Sequence, residues 1–313
     1  MPHDILRVTT PVLDIAYEAT GPEAGRPVLL LHGWPDDVRT YDGIVSRLHA
    51  EGFRTFAPWL RGFGSTRFCS ESTPRSGQIA AMAQDALDLA DALGIERFSI
   101  VGHDWGARIG YFVASVAPAR VLRLVACSLG WEPGPMKTPP LVQSQRFWYQ
   151  WFMATQRGSE VVRNDGIAFA RYQWETWSPP GWFDEKAFAA TSRSFENPDW
   201  PAITLHSYRV RWGEAEPDPR YADLEQQQQA ARTIAVPTLL IHGAEDRCVA
   251  AVTSEGKERH FTGPYERRVL PGIGHFPTPD TRGPRRGRRV GGRVLAELRL
   301  CPRLSRWRGT PNP

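Results

Sequence analysis

The sequence predicts an α/β protein whose mostly parallel sheet of eight strands is flanked by helices. Short runs rich in Val, Ile and Leu alternate with longer amphipathic segments along the 313 residues, which is typical of a parallel sheet covered by helices. Such runs are missing between residues 131 and 230, where tryptophans recur among helical patterns. A Gly-x-Asp-x-Gly turn at residues 102–106 joins one strand to the next helix. In this fold class, sites form at the carboxyl edge of the sheet.

Eight segments carry the apolar pattern of strands. In chain order they are DILRVTT (4–10), LDIAYEAT (13–20), RPVLLLHG (26–33), FRTFAPWL (53–60), RFSIVGH (97–103), VLRLVACSL (121–129), PTLLIHG (237–243) and ERRVLPG (266–272).

The clearest helix follows the fourth strand, at residues 76–94. We expect Ser76 to be its N-cap and Gly94 to end it. Its apolar stripe runs through Ile79, Met82, Ala86, Leu89 and Leu93.

Residues 131–230 are predicted to be a helical insertion between two strands, with residues 1–130 and 231–300 forming the core around it. Its aromatic residues either pack a small helical layer or line an apolar cavity, and the two are compatible. They include Trp148, Trp151, Trp174, Trp177, Trp182, Trp200 and Trp212.

The net charge of +4 comes from the end of the chain. Residues 281–313 contain ten arginines and one acidic residue, which leaves 28 basic against 33 acidic side chains, a charge of −5, for residues 1–280. This Arg/Gly/Pro-rich tail is compatible with nucleic-acid binding, but our preferred hypothesis is a shifted reading frame after about Asp280. We therefore expect no nucleic-acid partner for the folded body.

We expect a cytoplasmic protein, a monomer or homodimer with no membrane contact. No apolar stretch is long enough to span a bilayer, and no signal-peptide pattern precedes the first strand. The cysteines, at 69, 127, 248 and 301, are widely spaced and are predicted to be free thiols. Neither a bound metal nor a cofactor is expected.

Asp104 occupies the apex of the turn in VGHDWGA. An aspartate before a helix is often a simple N-cap. Alternatively, the helix N-terminus keeps the carboxylate ionised, so that it can act as a nucleophile.

The third strand ends in His32-Gly33-Trp34-Pro35, which forms either an ordinary turn or one half of an oxyanion hole. In the second interpretation the backbone N–H groups of Trp34 and Trp105 point into the site. His32 and Pro35 are then candidates for lining the substrate pocket.

Two further candidates follow the last two strands. Asp246 comes after PTLLIHG, and His275 lies in LPGIGHFP. With Asp104 they stand in the chain order nucleophile, acid, histidine.

These motifs resemble those of the α/β-hydrolase superfamily, and within it the group with an aspartate nucleophile. The motifs HGWP and GHDWGA have the same residues as the corresponding motifs of epoxide hydrolases, and haloalkane dehalogenases share the second. The resemblance covers roughly residues 5–278. It implies a helical cap between strands six and seven, and a hydrolase with no cofactor acting on a small apolar substrate and water.

The chemistry of such substrates explains why the nucleophile is an aspartate and not a serine. A serine attacking an sp³ carbon would leave an inert ether, whereas a carboxylate forms an alkyl ester that water can open. Asp104 would form this ester with an epoxide. His275, held in orientation by Asp246, would then activate a water that hydrolyses the ester and releases a diol.

The cap is expected to separate the possible chemistries, because an epoxide needs acidic donors for its oxygen. The stretches FWYQWF, with Tyr149, and LHSYR, with Tyr208, are similar to those that carry the two tyrosines of epoxide hydrolases. Each tyrosine alone could be an ordinary packing residue. Together they favour an epoxide hydrolase, with Trp148 and Trp151 as further pocket candidates.

Three alternatives stay open. A haloalkane dehalogenase would hold the halide with Trp105. A haloacetate dehalogenase, whose motif resembles GHDRGAR, would hold the substrate carboxylate with two arginines; this chain keeps Arg108 but has Trp105 in place of the other. A non-catalytic ligand-binding protein of the same fold is disfavoured, because Asp104, Asp246 and His275 are all present. Glu132, a second candidate for the acid, is more simply a solvated loop residue.

Overall fold

A computed structural model describes residues 4–135 and 137–276. The sheet contains the eight predicted strands and a two-residue strand, β5, that the sequence pattern did not reveal. The strands are β1 (Leu6–Thr9), β2 (Leu13–Thr20), β3 (Arg26–Leu31), β4 (Phe53–Pro58), β5 (Arg67–Phe68), β6 (Phe98–His103), β7 (Val121–Cys127), β8 (Thr238–Gly243) and β9 (Tyr265–Leu270).

The strand order is β1-β2-β4-β3-β6-β7-β8-β9, with β5 paired to β2. β2 is antiparallel to its neighbours, and every pair from β4 to β9 along this order is parallel. β3, β6 and β8 are buried along most of their length, which explains their continuous apolar runs. The parallel strands all end at one edge of the sheet.

Ten α-helices occur in the described residues. They are α1 (Asp42–Ala50), α2 (Ile79–Ala92), α3 (Trp105–Val116), α4 (Leu141–Arg146), α5 (Trp148–Ala154), α6 (Gln156–Asn164), α7 (Gly166–Trp177), α8 (Glu185–Ser192), α9 (Trp200–Arg211) and α10 (Ala222–Ala230). Short 3₁₀ turns lie at Val38–Tyr41, Pro118–Arg120, Arg193–Glu196, Pro219–Tyr221, Ala251–Ser254 and Glu258–His260.

Helices α4 to α10 all lie between β7 and β8, which are the sixth and seventh strands when β5 is left out. We call residues 131–230 the helical segment. Its last helix, α10, contacts α3 beside the sheet. No helix within the described ranges combines the length and apolar character that crossing a membrane requires.

The prediction for the start of α2 was wrong by two residues. Gln78, in extended conformation, is the N-cap and makes no side-chain cap bond. The Ser76 hydroxyl instead donates to the Gln78 side-chain oxygen at 2.8 Å, inside a turn that precedes the helix. Gly94 does follow the helix end with φ of +65°, as predicted.

Cys69, Cys127 and Cys248 are free thiols, as predicted. Cys301 and the arginine-rich tail at residues 281–313 lie outside the described residues.

Candidate active site

Asp104 lies at the point where β6 turns sharply into α3. Its φ of 51° is in the left-handed region, which non-glycine residues rarely adopt. The turn requires the glycines on either side of it. A Cβ on Gly106 would lie 1.7 Å from the Leu31 carbonyl oxygen, and one on Gly102 would lie 2.2 Å from the Gly106 oxygen. The backbones of β3 and α3 therefore approach closely, and this contact places Asp104 at the edge of the sheet.

The Asp104 carboxylate makes no capping bond to its own helix. Its Oδ1 instead accepts a hydrogen bond from the Trp34 backbone N–H at 3.0 Å. The residue is only 6% exposed. Asp104 therefore stands at the N-cap position of α3, but its side chain does not cap the helix.

The turn after β3 holds the Trp34 amide in this position. A cis peptide bond joins Trp34 to Pro35. The Trp34 indole donates to Thr204 Oγ1 at 3.1 Å, and the Trp174 indole donates to the Pro35 carbonyl at 2.6 Å. Helices α9 and α7 therefore bind the turn directly. Trp105 is the first residue of α3, where backbone N–H groups have no partner within the helix.

His32, a predicted pocket residue, is buried at the end of β3 and is bound to the backbone. Its Nδ1 donates to the Gly33 carbonyl at 2.9 Å, and its Nε2 accepts from the Leu60 N–H at 3.1 Å. Both nitrogens are thus used in backbone hydrogen bonds. Burial lowers the pKa of His32 to about 4, so the ring is neutral at pH 7.

Asp246 and His275 meet Asp104 at the carboxyl edge. His275 Nδ1 lies 2.9 Å from Asp246 Oδ2, and His275 Nε2 lies 3.9 Å from Asp104 Oδ2. The Asp246 Oδ1 accepts two backbone hydrogen bonds at 2.8 Å, from Cys248 and Val249. These fix the carboxylate behind the imidazole. Nε2 has no hydrogen-bond partner among the described residues.

The charges of this cluster support one another. Burial alone would raise the pKa of Asp246, but His275 and His242 outweigh it and lower the pKa to about 2. Burial likewise opposes the charged form of His275, but Asp246 and, more weakly, Asp104 raise its pKa. Asp246 is therefore ionised at neutral pH and stabilises positive charge on the imidazole.

The backbone carbonyl of His275 is held by two donors that sequence reasoning missed. His103 Nε2 donates to it at 2.8 Å and Ser128 Oγ at 2.6 Å. Ser128 has φ of 73°, immediately after β7. These bonds connect the His275 loop to the ends of β6 and β7.

Tyr149 and Tyr208 come from α5 and α9 and lie against Trp34. The Tyr149 ring stacks on Trp34 with centroids 5.6 Å apart, and the Tyr208 ring meets Trp34 edge-on at 5.2 Å. The two tyrosine rings are 5.4 Å from each other. Burial is the main cause that raises the pKa of both hydroxyls, and the nearby Asp104 charge adds to it. Both are therefore protonated at neutral pH.

Trp148 and Trp151 do not line the site, contrary to the prediction. They are 40% and 36% exposed, and the Trp151 indole donates to the Ser144 carbonyl at the surface. Successive residues of a helix are rotated by about 100°, so Trp148 and Trp151 lie on other faces of α5 than the buried Tyr149. The tryptophan that does border the site is Trp177, which lies 4.8 Å from the Tyr149 ring and 5.0 Å from the His275 ring.

Comparison with known proteins identifies the family. The model of the alpha/beta hydrolase fold family matches residues 26–280. The chain belongs to the α/β-hydrolase fold family. A crystal structure from Klebsiella pneumoniae, of a protein whose own assignment as an epoxide hydrolase is provisional, is 41% identical with a TM-score of 0.83, over 87% of this chain and 91% of that one.

Curated relatives of this α/β-hydrolase match shorter stretches. Epoxide hydrolase 3 of Siraitia grosvenorii is 37% identical over 39% of this chain, and the match spans 36% of that protein, about a third of its length. A haloalkane dehalogenase of Mycobacterium marinum is 27% identical over 67% of this chain and 70% of its own length. Within the α/β-hydrolase fold family, the chain is thus similar to epoxide hydrolases and to a haloalkane dehalogenase.

Two more predicted residues can be placed in this α/β-hydrolase. Glu132 is paired with Lys137 at 2.7 Å and Lys257 at 3.1 Å, and these hydrogen bonds lower its pKa to about 2. It is bound to these lysines, whereas Asp246 is hydrogen-bonded to His275. Arg108 lies one turn after Asp104 on α3, where its backbone N–H donates to the Asp104 carbonyl at 3.1 Å.

Proposed function

We propose that this chain is an epoxide hydrolase that forms an alkyl ester on Asp104. The observation that carries the proposal is the meeting of two buried, protonated tyrosines, Tyr149 and Tyr208, on the Trp34 ring beside Asp104. An epoxide oxygen becomes an alkoxide when its ring opens and needs acidic donors, whereas a leaving halide does not.

In the first step Asp104 Oδ2 attacks one epoxide carbon. The bond from that carbon to the epoxide oxygen breaks, and a tyrosine hydroxyl delivers a proton to this oxygen. The Trp34 N–H remains on Oδ1, which becomes the ester carbonyl oxygen. The nucleophile thus keeps its orientation throughout the step.

In the second step His275 Nε2 takes a proton from a water that attacks the Asp104 carbonyl carbon. The tetrahedral oxyanion on Oδ1 is stabilised by the backbone N–H groups of Trp34 and Trp105, an effect worth on the order of 10² to 10³ in rate per donor. Asp246 stabilises the imidazolium, which then returns this proton to the diol oxygen that leaves Asp104. The second proton of the water is released as Asp104 ionises again, and it restores the tyrosine hydroxyl that gave up its proton in the first step.

The helical segment, residues 131–230, is proposed to act as a cap over this site. Its helices supply Tyr149, Trp177 and Tyr208, and the core, residues 1–130 and 231–300, supplies Asp104, Asp246 and His275. The aromatic rings suit an apolar substrate.

A substrate panel tests the proposal. A styrene-type epoxide, a bromoalkane and a haloacetate are given to the wild type, Tyr149→Phe and Tyr208→Phe, with Tyr172→Phe, an exposed tyrosine on α7, as the matched control. We expect epoxide turnover to fall by on the order of 10² in each site variant and to be unchanged in the control. Halide release without any epoxide turnover would refute the assignment.

A haloalkane dehalogenase is the second candidate, and one observation favours it. The buried indole N–H of Trp105 lies near the Tyr208 hydroxyl without forming a well-aligned hydrogen bond, so a leaving halide could accept it. However, the Trp34 indole is already bonded to Thr204. In this case the bromoalkane would be turned over, and the two Tyr→Phe variants would retain the rate.

A further inference from the structure

Gln150 contacts the oxygen of one of the two site tyrosines. Its Nε2 donates to the Tyr149 hydroxyl oxygen at 2.7 Å. Gln150 is 1% exposed and follows Tyr149 on α5, which belongs to the helical segment. A buried amide thus lies against the hydroxyl group from which an epoxide oxygen would take its proton.

Trp212 determines which end of the Gln150 amide faces the tyrosine. The Trp212 indole Nε1 lies 2.8 Å from Gln150 Oε1. An indole N–H can only donate, so it has to meet the amide oxygen, and the amide nitrogen is left to face Tyr149. Turning the amide over would bring two donors together at Trp212. The Tyr149 oxygen is therefore an acceptor toward Gln150.

The hydroxyl hydrogen of Tyr149 is directed away from Gln150. Two donors cannot share one bond, so this hydrogen points toward another neighbour of the oxygen, Cys248 Sγ at 3.5 Å. Cys248 lies beside the acid of the site, because its backbone N–H donates to Asp246 Oδ1 at 2.8 Å. A thiol sulfur is a weak acceptor, so an epoxide oxygen would readily take its place. The bond from Gln150 therefore presents the proton on the side of the reacting groups.

We infer that Gln150 is a positioning residue, which directs the Tyr149 proton toward the epoxide oxygen and stabilises the phenolate that proton transfer leaves. This inference rests on the proposed epoxide chemistry. During ring opening the amide's bond to a neutral oxygen becomes a bond to a charged one, which is about twice as strong. The amide thus favours the state after proton transfer over the state before it, and this lowers the barrier. The phenolate is protonated again during ester hydrolysis, so Gln150 itself neither gains nor loses a proton.

Gln150→Met tests the donor at a nearly unchanged side-chain length. In single-turnover assays with a styrene-type epoxide, we expect ester formation on Asp104 to slow by about 10-fold and ester hydrolysis to keep its rate. The loss should vanish when Tyr149→Phe is the parent, since Gln150 then has no hydroxyl to act on. Gln78→Met is the matched control. Gln78 is buried as well, and its amide donates to Glu225 at 2.8 Å next to α2, so both rates should stay at wild-type values.

Gln150→Glu reverses the bond at a nearly unchanged shape. One oxygen still accepts the Trp212 indole N–H, but an ionised carboxylate can only accept from the Tyr149 hydroxyl. It therefore turns the hydrogen away from the substrate and opposes the phenolate. At pH 9 we expect ester formation to slow by on the order of 10². As the pH falls, the carboxyl group becomes protonated and can donate again, so the rate relative to the wild type should rise. A structural defect would not produce this pH dependence.

Three results would overturn the role of Gln150 while leaving the epoxide hydrolase assignment intact. They are equal rates of both steps in Gln150→Met and the wild type or equal slowing of both, an undiminished loss in the Tyr149→Phe parent, and a relative rate of Gln150→Glu that does not vary with pH. If no epoxide reacts with Asp104, the proposed function fails, and the effect of Gln150 on Tyr149 is judged by the phenol alone. 3-Fluorotyrosine placed at position 149 and titrated by fluorine NMR should then ionise about one pH unit higher in Gln150→Met than with Gln150 present. An unchanged midpoint would refute the inference.

Discussion

At the scale of single residues, the two oxygens of Asp104 have different neighbours. Oδ1 accepts the Trp34 amide, and Oδ2 faces His275 Nε2. This difference assigns each oxygen its task in the proposed mechanism, with Oδ2 as the attacking atom and Oδ1 as the later oxyanion. The chain order of Asp104, Asp246 and His275 predicted that they would meet. It could not predict the His103 and Ser128 bonds to the His275 carbonyl, because these depend on the register of β6 and β7.

Replacing Asp246 with asparagine should separate the two chemical steps. The imidazole would lose the charge that raises its pKa and the acceptor that fixes its tautomer, so ester hydrolysis should slow by on the order of 10³ to 10⁴. Attack by Asp104 does not need His275 as a base and should persist. We therefore expect a covalent adduct on Asp104 to accumulate, detected by mass spectrometry of the intact protein.

Glu132→Gln is the matched control for this prediction. Glu132 binds two lysines, so its variant should show no accumulated adduct. If the adduct accumulates in Glu132→Gln and not in Asp246→Asn, then Glu132 is the acid that supports His275, and the assignment of Asp246 is wrong.

At the scale of elements, α5 shows what a residue pattern can predict and what it cannot. The stretch FWYQWF suggests an aromatic face, but six aromatic-rich residues do not reveal which side of a short helix faces inward. Tyr149 and Met153 are buried, while Trp148 and Trp151 are half-exposed. Trp177 was not singled out for the site because its place depends on how α7 packs over the sheet, which local sequence does not encode.

The contact between β3 and α3 predicts a severe effect of Gly106→Ala. The new methyl group would collide with the Leu31 backbone, which cannot rotate away, and we expect a loss of at least about 3 kcal/mol in the free energy of unfolding. Urea denaturation measures this directly.

Gly110→Ala, on the same helix, is its control. Its methyl group would meet a terminal methyl of Leu124, which can move, and the helix gains from the alanine. The two variants should differ by at least about 2 kcal/mol, and equal stabilities would show that the close approach is not what the turn requires.

At the scale of the whole molecule, indole N–H groups fasten the helical segment to the core in both directions. Trp34 donates to Thr204, Trp59 donates to Ser194 at 3.0 Å, and Trp174 donates to the Pro35 carbonyl. Eight strands and the position of the insertion were predictable, because their apolar runs are continuous. These cross-connections were not, since each joins residues far apart in the chain.

Asp37 makes this junction sensitive to pH. It accepts a hydrogen bond from Ser194 at 2.6 Å, and burial raises its pKa to about 6. The folded protein therefore holds this proton more tightly than the unfolded chain, whose aspartates titrate near pH 4. The resulting stability is present below about pH 4 and is lost as pH rises through about 6.

We expect Asp37→Asn to remove this contribution, worth up to about 3 kcal/mol between pH 4 and pH 7. Chemical denaturation across that range checks it. Ser194→Ala should have the opposite effect. It removes a donor to the Asp37 carboxylate, so the pKa of Asp37 should rise further and the free energy of unfolding should fall more steeply as the pH increases. If the free energy of unfolding depends on pH in both variants as it does in the wild type, Asp37 is not the source of this pH dependence.

The burial of Asp104 beneath Trp34, Tyr149 and Tyr208 bears on the timing of turnover. In the proposed reaction, a carboxylate that is 6% exposed is reached only when the rings of α5 and α9 part, before the epoxide binds and again before the diol departs. Gating by these helices would then set an upper bound on the turnover rate. Faster chemistry at Asp104 would leave that bound unchanged, and loosening the bond between Trp34 and Thr204 would raise it.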